Sequence, residues 1–199
     1  MKFLFSVDSK VSYERRKQRL GQEPKLIWLT GLSSSGKSTL AVGLERYLFE
    51  SGFQVYLLDG DNVRSGINKD LGFSPADRTE NIRRIAEVSK LMLDAGLIIV
   101  SAFISPFRDD RKMVREITGE DRFAEVFIDC PLEVCEKRDT KGLYKKARHG
   151  FIRDFTGIGS PYEIPENPSI VLHTDQETIE ESLSKLIKHV ENKLFVESL

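Results

Sequence analysis

The sequence predicts a three-layer α/β fold in which a mainly parallel central sheet is flanked by helices. Four short apolar runs, and a weaker fifth, alternate with segments of helical periodicity. The runs are continuously apolar, which is typical of strands buried on both faces of a parallel sheet. This alternation implies right-handed crossovers with helices on both faces. The 199 residues, 40% hydrophobic and 31% charged, suffice for one substantial core and exclude a disordered chain or a disulfide scaffold.

The predicted strands are short and span residues 26–30, 55–59, 97–103, 126–129 and, with a weaker pattern, 170–173. The predicted helices carry apolar residues three and four positions apart, the periodicity of a helix with one buried face. They span residues 38–50, about 78–94, about 109–117, 132–138 and 178 to about 193. Gly52 and Gly96 come after the first two helices, where a helix end favours glycine.

Two parts of the chain lie outside this alternation. Residues 1–24 are polar and end at Pro24; we expect an arm or short helix whose basic residues form a solvated face, and then one domain over residues 25–199. Residues 139–168, called the lid segment below, contain four Gly, three Pro and a basic cluster of Lys141, Lys145, Lys146 and Arg148. Because a long irregular segment in a compact domain is usually functional, we expect a mobile lid there.

The charge and cysteine content exclude several classes of partner. Thirty Lys and Arg against thirty-one Asp and Glu give a net charge of −1, so no global positive field attracts nucleic acid or a membrane, and any polyanion must be bound locally. Cys130 and Cys135 are expected to be free thiols in a reducing compartment, and their spacing alone makes no zinc site. With no apolar run typical of a signal peptide or a membrane span, we expect a cytoplasmic protein.

Residues 31–38 read Gly-Leu-Ser-Ser-Ser-Gly-Lys-Ser, the phosphate-binding pattern G-x-x-x-x-G-K-S, between a predicted strand and a predicted helix. Gly31 and Gly36 permit a close approach of the backbone, so that successive N–H groups can surround an anion. Lys37 is placed to contact the β- and γ-phosphates, and the Ser38 hydroxyl to ligate Mg²⁺. The pattern predicts a P-loop NTPase fold. Its expected nucleotide-binding residues are Gly31, Leu32, Ser33, Ser34, Ser35, Gly36, Lys37, Ser38 and Thr39.

Residues elsewhere in the chain, mainly at the ends of the other strands, distinguish between classes of P-loop protein. A signalling GTPase requires an Asn-Lys-x-Asp guanine reader, and the run from Asn68 to Leu71 misses that spacing. A motor ATPase usually has an acidic residue at the end of the strand opposite the loop, yet residues 97–103 end without one. The second strand instead ends in Asp59, Gly60 and Asp61, a pattern more typical of a small-molecule kinase.

The acceptor side is predicted from polar residues at the carboxyl edge of the sheet, where open α/β folds bind ligands. Asp59 and Asp61 could flank one site, with Asp59 as a second Mg²⁺ ligand and Asp61 as a base for an acceptor hydroxyl; a turn in which Asp59 caps the next helix is the alternative. Several of the arginines and the asparagine downstream would suit an anionic acceptor if they converge. They are Arg64, Arg78, Asn81, Arg83, Arg84 and Arg108. Phe73 and Phe155 could stack on a flat base or anchor their loops.

Five segments together resemble the adenylylsulfate kinase (APS kinase) family over about residues 24–190. They lie at residues 27–41, 58–64, 70–84, 101–108 and, as Lys-Gly-Leu-Tyr-Lys-Lys-Ala-Arg with Phe-Thr-Gly and Ser-Pro-Tyr-Glu, at 141–163. The resemblance implies transfer of the γ-phosphate of MgATP to the 3′-hydroxyl of adenosine 5′-phosphosulfate (APS), giving 3′-phosphoadenylyl sulfate and ADP. A P-loop kinase for another nucleotide or small alcohol, and a catalytically silent nucleotide-binding subunit, are the alternatives.

The resemblance also assigns residue roles. Catalysis would involve Asp61 as the residue that orients or deprotonates the acceptor hydroxyl, together with Lys37, Ser105 and a γ-phosphate contact from Lys141. Ser105 matches a serine that the family marks as a phosphorylated intermediate; because direct in-line transfer needs no covalent stage, binding of the acceptor through Ser105 is the alternative. Arg138 is similar to a residue lying against the ATP adenine. The implied APS-binding residues are Asp61, Arg64, Phe73, Arg78, Asn81, Ile104, Ser105, Lys141, Gly142, Leu143 and Phe155.

Three residues depart from the family pattern. Ser34 stands where the family usually has Gly, which matters if that position requires a positive φ. Gly159 replaces an Asp, and His149 replaces a small residue, and both bear on lid closure and turnover rate. The resemblance further implies a homodimer, and association with a sulfurylase is a further partner to test.

Overall fold

The computed structural model describes residue 5 and residues 9–195, and in this part the chain forms five strands and eight α-helices. The strands are β1 (Leu26–Thr30), β2 (Val55–Asp59), β3 (Ile98–Ala102), β4 (Phe123–Asp129) and β5 (Ile170–His173). The helices are α1 (Tyr13–Leu20), α2 (Lys37–Glu50), α3 (Gly60–Ser65), α4 (Pro75–Asp94), α5 (Arg108–Thr118), α6 (Leu132–Arg138), α7 (Leu143–Arg148) and α8 (Ile179–Val190).

The five strands form one sheet in the order β2-β3-β1-β4-β5, and every neighbouring pair is parallel. The central strand β1 lies between β3 and β4, so that Trp28 is opposite Ser101 on one side and Glu125 on the other. The chain leads from β1 to β2 at one edge of the sheet, and the crossover from β3 to β4 then passes to the other side of β1. Open α/β folds bind ligands beyond the carboxyl ends of the strands at such a change of direction. The loop after β1 is therefore central to any site.

The core has two layers because side chains of β1 alternate between the faces of the sheet. Ile27 and Leu29 pack with α2 and α8 on one face, whereas Leu26 and Trp28 pack with α4 and α5 on the other. All five residues of β1 are fully buried. This confirms the prediction of strands covered on both faces by helices, with a sheet that is entirely parallel.

Two element boundaries differ from the sequence prediction for local reasons. The strand β4 begins three residues earlier than predicted, since Glu125 interrupts the apolar run but is buried against Arg111. The helix α4 begins at Pro75 instead of near Arg78. Ser74 caps it by accepting a hydrogen bond from the Asp77 N–H, and Pro75 occupies a first-turn position that requires no N–H.

The prediction of an irregular lid segment was wrong in part. Residues 143–148 form α7, which packs Tyr144 and Ala147 into a third apolar cluster with Cys130, Cys135 and Phe155. At six residues, α7 is too short for its periodicity to stand out among the surrounding glycines and prolines. The six-residue α3 after β2 was also missed.

The described part of the N-terminal arm packs at the end of the sheet opposite the phosphate loop. Its helix α1 places Leu20 against Gly96, and Arg16 donates to the Asp94 carbonyl. Gln22 pairs with Phe195 from the C-terminal end of the described chain. Residues 1–4 and 6–8 of the predicted arm lie outside the described residues. Among residues 9–195, no helix combines the length and apolar character needed to cross a membrane.

Candidate active site

The phosphate loop, residues 31–38, connects β1 to α2 at the centre of the carboxyl edge. A Cβ on Gly31, whose φ is 154°, would lie 2.5 Å from the Ile128 carbonyl oxygen, so the loop excludes a side chain there. Gly36 has a φ of 104° and begins α2, whose positively polarised end faces the loop. Ser34 has a φ of 59°, so the departure from glycine falls at a position that glycine favours. The Ser35 hydroxyl is buried and has no hydrogen-bond partner in the structure.

Lys37 is buried within this loop at 8% exposure. Its Nζ donates to the Leu32 carbonyl at 2.5 Å. Burial lowers the pKa of Lys37 from 10.5 to about 8, and the carboxylates of Asp59 and Asp61 oppose that shift. The ammonium group lies inside the loop that the sequence predicts to bind phosphate. Added negative charge there would favour its protonated form.

Asp59 contacts both the phosphate loop and the next helix. One carboxylate oxygen accepts a hydrogen bond from the Ser38 hydroxyl at 2.8 Å, and the other caps α3 by accepting from the Asp61 N–H at 3.1 Å. The capping alternative is thus present, and Asp59 also contacts Ser38, the residue predicted to ligate Mg²⁺. The described residues include no group of three or more His, Cys, Asp and Glu side chains suited to a metal ion. The Ser38 and Asp59 oxygens fit Mg²⁺ that takes its other ligands from phosphates and water.

Asp61 forms an ion pair with Lys141, the residue that begins the basic run of the lid segment. The hydrogen bond to Asp61 raises the pKa of Lys141, so the lysine stays charged at neutral pH. Both side chains are exposed. The pair brings the predicted acceptor carboxylate and the predicted γ-phosphate contact to one point, two residues beyond the Asp59 that binds Ser38.

Arg138, at the end of α6, reaches the loop after β5. It donates to the Thr174 carbonyl at 2.6 Å, and the Thr174 hydroxyl in turn donates to the Ser35 carbonyl at 2.7 Å. Gly36 also lies against Thr174. These contacts place Arg138 beside the phosphate loop on the β5 side, opposite the side on which Asp61 lies. Thr39 is exposed in the first turn of α2.

Two of the predicted arginines converge on the acceptor side. Arg64 lies over the Phe73 ring, 4.5 Å from its centroid, and donates to the Gly72 carbonyl. Arg78 donates to the Phe73 carbonyl at 2.9 Å and to two groups of the lid segment, the Thr156 hydroxyl and the Asp154 carbonyl. Burial lowers the pKa of both arginines. The remaining three, Arg83, Arg84 and Arg108, instead form ion pairs with nearby acidic residues.

The two predicted base-stacking rings differ in exposure. Phe73 is 65% exposed in the loop before α4, whereas Phe155 is 8% exposed and packs edge-on against Tyr144 at 5.0 Å. Arg78 bonds to the backbone beside each ring. Arg78 therefore links the two loops that carry the phenylalanines, while the Phe73 ring contacts Arg64 and the Phe155 ring contacts Tyr144.

Asn81 and Ser105 are both buried and hydrogen-bonded. The Asn81 side-chain oxygen accepts from Asn68 at 2.9 Å, which leaves its amide hydrogens as donors. The Ser105 hydroxyl accepts from the Trp28 indole at 3.0 Å and donates to Thr30 at 3.0 Å. A hydroxyl with both partners, at 2% exposure, lacks the base and the access that a nucleophile requires. This geometry favours a binding or positioning role for Ser105.

The lid segment is attached to the phosphate loop, to α4 and to β1. In its N-terminal half, Gly142 begins α7 with a φ of 65°, Leu143 comes next, and the Tyr144 hydroxyl donates to the Ser33 carbonyl at 3.0 Å. In its middle, Arg78 binds residues 154 and 156. In its C-terminal half, the Tyr162 hydroxyl bonds to Thr30 at 2.9 Å, and burial raises the pKa of Tyr162 to about 12.

Sequence reasoning missed several residues that shape the site, among them Thr30, Arg111, Tyr144, Tyr162 and Thr174. Thr30 ends β1 and Thr174 directly follows β5, so both lie at the carboxyl edge, and that position is a usable signal. Arg111 lies in a charged run of α5 that is typical of a solvent-facing helix. Its burial depends on Glu125, fourteen residues away, and no local pattern reveals such a pair.

The chain is similar to known proteins of one family. The family model for adenylylsulphate kinase matches residues 23–173. The adenylyl-sulfate kinase of Staphylococcus epidermidis is 54% identical over 189 residues, 95% of each chain, and that of Clostridium kluyveri is 56% identical over 184 residues, 92% of each chain. Among solved structures, the Mycobacterium tuberculosis APS kinase CysC in complex with AMPPNP and APS has a TM-score of 0.81 at 48% identity, covering 85% of this chain and 98% of that one.

The family match spans about three quarters of the chain, and it includes the phosphate loop, Asp59, Asp61 and the lid segment. The curated relatives are matched over nearly their full length. The chain belongs to the adenylylsulphate kinase family.

Proposed function

We propose that this protein transfers the γ-phosphoryl group of ATP to the 3′-hydroxyl of adenosine 5′-phosphosulfate, producing 3′-phosphoadenylyl sulfate and ADP for sulfate assimilation. The observation that carries the proposal is the ion pair between Asp61 and Lys141 beside the Ser38–Asp59 contact. It joins an acceptor carboxylate, a lid cation and the phosphate loop at one point. The family membership supplies the identity of both substrates.

On the donor side, the loop N–H groups and Lys37 would bind the triphosphate, and Arg138 would lie against the adenine. Mg²⁺ would be bound by Ser38, with Asp59 on the same face, and would neutralise the phosphate oxygens. The glycines at 31 and 36 leave the backbone open to close approach by phosphate. The lid lysine, Lys141, would leave its pairing with Asp61 to contact the γ-phosphate.

On the acceptor side, the 3′-oxygen attacks the γ-phosphorus in line, the bond from that phosphorus to the β-bridging oxygen breaks, and ADP leaves with the released electron pair. The hydroxyl proton passes to Asp61, whose carboxylate is free once Lys141 turns to the phosphate. Arg64, Arg78 and Asn81 would bind the phosphosulfate and ribose, and Phe73 and Phe155 would enclose the adenine. Ile104, Ser105, Gly142 and Leu143 would complete the pocket. We assign Ser105 to positioning and propose no phosphoserine intermediate.

We further propose a homodimer and a cytoplasmic location. Two free, buried cysteines are consistent with a reducing compartment. A related APS kinase from Thiobacillus denitrificans, 30% identical with a TM-score of 0.67, is hexameric, although this chain covers only 31% of that protein. Sedimentation of the purified protein, alone and with a sulfurylase, tests both the dimer and the sulfurylase complex.

The test is an assay with purified protein, MgATP and APS, in which a 3′-phosphorylated product is measured by chromatography. APS should exceed AMP, CMP and adenosine as acceptor by at least a hundredfold in kcat/KM. Phosphorylation of another acceptor in preference to APS would favour a different P-loop kinase. Tight ATP binding without any product at saturating Mg²⁺ would favour a silent nucleotide-binding subunit.

A further inference from the structure

Arg111, in α5, connects two segments of the acceptor side that are distant in sequence. Its side chain is 3% exposed, and all three guanidinium nitrogens donate hydrogen bonds. Nε donates to Glu125 at 2.7 Å, Nη1 to the Ser105 carbonyl at 2.6 Å and Nη2 to the Glu163 carbonyl at 2.6 Å. The planar fork of arginine can make these three bonds together, whereas a lysine ammonium cannot reproduce the geometry.

The first of the two segments is the loop after β3 that contains Ile104 and Ser105, called the acceptor loop below. Ser105 has a φ of 38°, in the left-handed region that serine rarely adopts. Its two carbonyls are fixed, since Ile104 accepts from the Thr30 hydroxyl at 2.8 Å and Ser105 accepts from Arg111. Within residues 9–195, neither the Ile104 nor the Ser105 N–H donates to a protein acceptor. The loop thus has engaged carbonyls and available N–H donors, which suits an anionic acceptor.

The second segment is the C-terminal part of the lid segment around Tyr162 and Glu163, called the base of the lid below. Arg111 binds the Glu163 carbonyl and lies 5.7 Å from the centroid of the Tyr162 ring. Tyr162 bonds in turn to the same Thr30 hydroxyl that contacts Ile104. A change in the position of this guanidinium would therefore move the acceptor loop and the base of the lid together.

Glu125 explains why the guanidinium stays in this place. The carboxylate is buried in β4 and accepts from Arg111, with a second and longer contact from Arg115 at 3.4 Å. A buried charge pair costs desolvation energy and is weak evidence of stabilisation by itself. The consequence of this pair is geometric. Glu125 fixes Nε of the guanidinium, so that Nη1 and Nη2 face the carbonyls of Ser105 and Glu163.

We propose that Arg111 is a positioning residue: it holds the acceptor loop and the base of the lid in the relative position that binding of the anionic acceptor requires. The identity of that acceptor rests on the proposed function. Arg111 itself need not touch substrate. The role predicts an effect on acceptor binding that is distinct from any effect on stability or on ATP binding.

The experiment compares Arg111→Lys with Arg115→Lys, a matched control that also contacts Glu125 but neither carbonyl. Arg111→Lys should raise KM for APS at least tenfold and change KM for ATP less than twofold, while Arg115→Lys leaves both within twofold. The single tryptophan, Trp28, gives a readout that needs no activity, since its indole binds Ser105. Its emission maximum should shift in Arg111→Lys and not in the control.

Equal effects of the two variants on KM for APS, or an equal rise in KM for ATP and APS, would overturn the positioning role. If the wild-type protein does not phosphorylate APS, the proposed function fails. The positioning role is then judged from the tryptophan emission: a shift confined to Arg111→Lys supports the role, and no shift in that variant refutes it. Should Arg111→Lys not fold, Glu125→Gln keeps an oxygen acceptor for Arg111 Nε but loses the charge that fixes the guanidinium against the two carbonyls. It should raise KM for APS about threefold, and an unchanged KM would count against the proposal.

Discussion

Asp59 and Asp61 are two positions apart, yet the start of α3 gives them different surroundings. Asp59 is the N-cap, and its two oxygens bind Ser38 and the Asp61 backbone. Asp61 is in the first helical turn, where its side chain reaches across to the lid lysine. One carboxylate is therefore part of the phosphate side and the other part of the acceptor side.

Replacement of Asp61 by Asn should lower kcat by about a hundredfold or more, the range of a lost general base. The Asn retains size and hydrogen bonding but cannot accept the hydroxyl proton. The dissociation constant of ATP should change less than threefold, because Asp61 does not contact the loop backbone. Steady-state kinetics with calorimetric ATP titration measures both, and the exposed Asp109→Asn serves as control. A wild-type kcat would remove Asp61 from the chemistry.

Ser34→Gly should stabilise the protein. At a φ of 59°, a residue with a Cβ strains the folded state by about 1 kcal/mol relative to glycine. Glycine opposes this gain because it adds entropy to the unfolded chain, and the strain exceeds that entropy term by only a few tenths of a kcal/mol. Urea unfolding should therefore give an unfolding free energy that is higher by a few tenths of a kcal/mol. Ser33→Gly, in the same loop without a positive φ, should lower it. The same sign for both variants would contradict strain at Ser34.

The lowered pKa of Lys37 predicts that nucleotide affinity depends on pH. Burial sets the pKa near 8 in the free protein, and bound phosphate would raise it, so binding above pH 8 takes up a proton. ATP affinity should be constant from about pH 7 to 7.5 and fall up to about tenfold per unit above pH 8. Lys141 does not titrate in this window, because Asp61 raises its pKa.

Calorimetry at pH 9 in two buffers of different ionisation enthalpy measures the proton uptake directly. Lys37→Arg serves as the control, since a guanidinium stays charged throughout this range and its affinity profile should be flat. Proton uptake that persists in this variant would assign the effect to another group.

At the scale of elements, Arg78 links the start of α4 to the lid segment. Arg78→Lys should retain the charge but lose the three-way bonding to Phe73, Asp154 and Thr156. KM for APS should rise about tenfold or more, and proteolysis within residues 150–160 should accelerate. Arg83→Lys, half-exposed in the same helix, is the matched control and should change neither. Unchanged cleavage in Arg78→Lys would show that the lid is fixed by its other contacts.

Elements with a clear apolar or glycine pattern were predicted closely from the sequence. The strand β1, the helix α2 and the phosphate loop lie within one residue of the positions that the apolar runs and the glycine spacing indicated. The six-residue helices α3 and α7 were missed because one turn and a half shows no periodicity. Residues such as Arg111 and Gln22 escaped because their partners are remote in sequence, and burial of a polar side chain is visible only once both segments are packed.

At the scale of the whole molecule, the candidate site lies at one end of the parallel sheet, and the other end is covered by packing contacts. The carboxyl edge carries the phosphate loop, Asp59 and Asp61, while the amino edge is closed by the N-terminal arm. Gln22 is 1% exposed there and makes three hydrogen bonds to the backbone of Gln54 and Gly96. It thus ties together the segments that lead into β2 and β3.

Gln22→Ala should destabilise the fold without affecting catalysis. Loss of the amide leaves buried backbone groups without partners, at about 1–3 kcal/mol for each group that water cannot reach. Thermal unfolding should show a Tm lower by several degrees, whereas kcat and both KM values at 25 °C stay within twofold, because the substitution lies at the opposite end of the strands from the site. Gln18→Ala, on the exposed face of α1, should change neither quantity. A raised KM in Gln22→Ala would instead show that packing at the amino edge is transmitted along the strands to the phosphate loop.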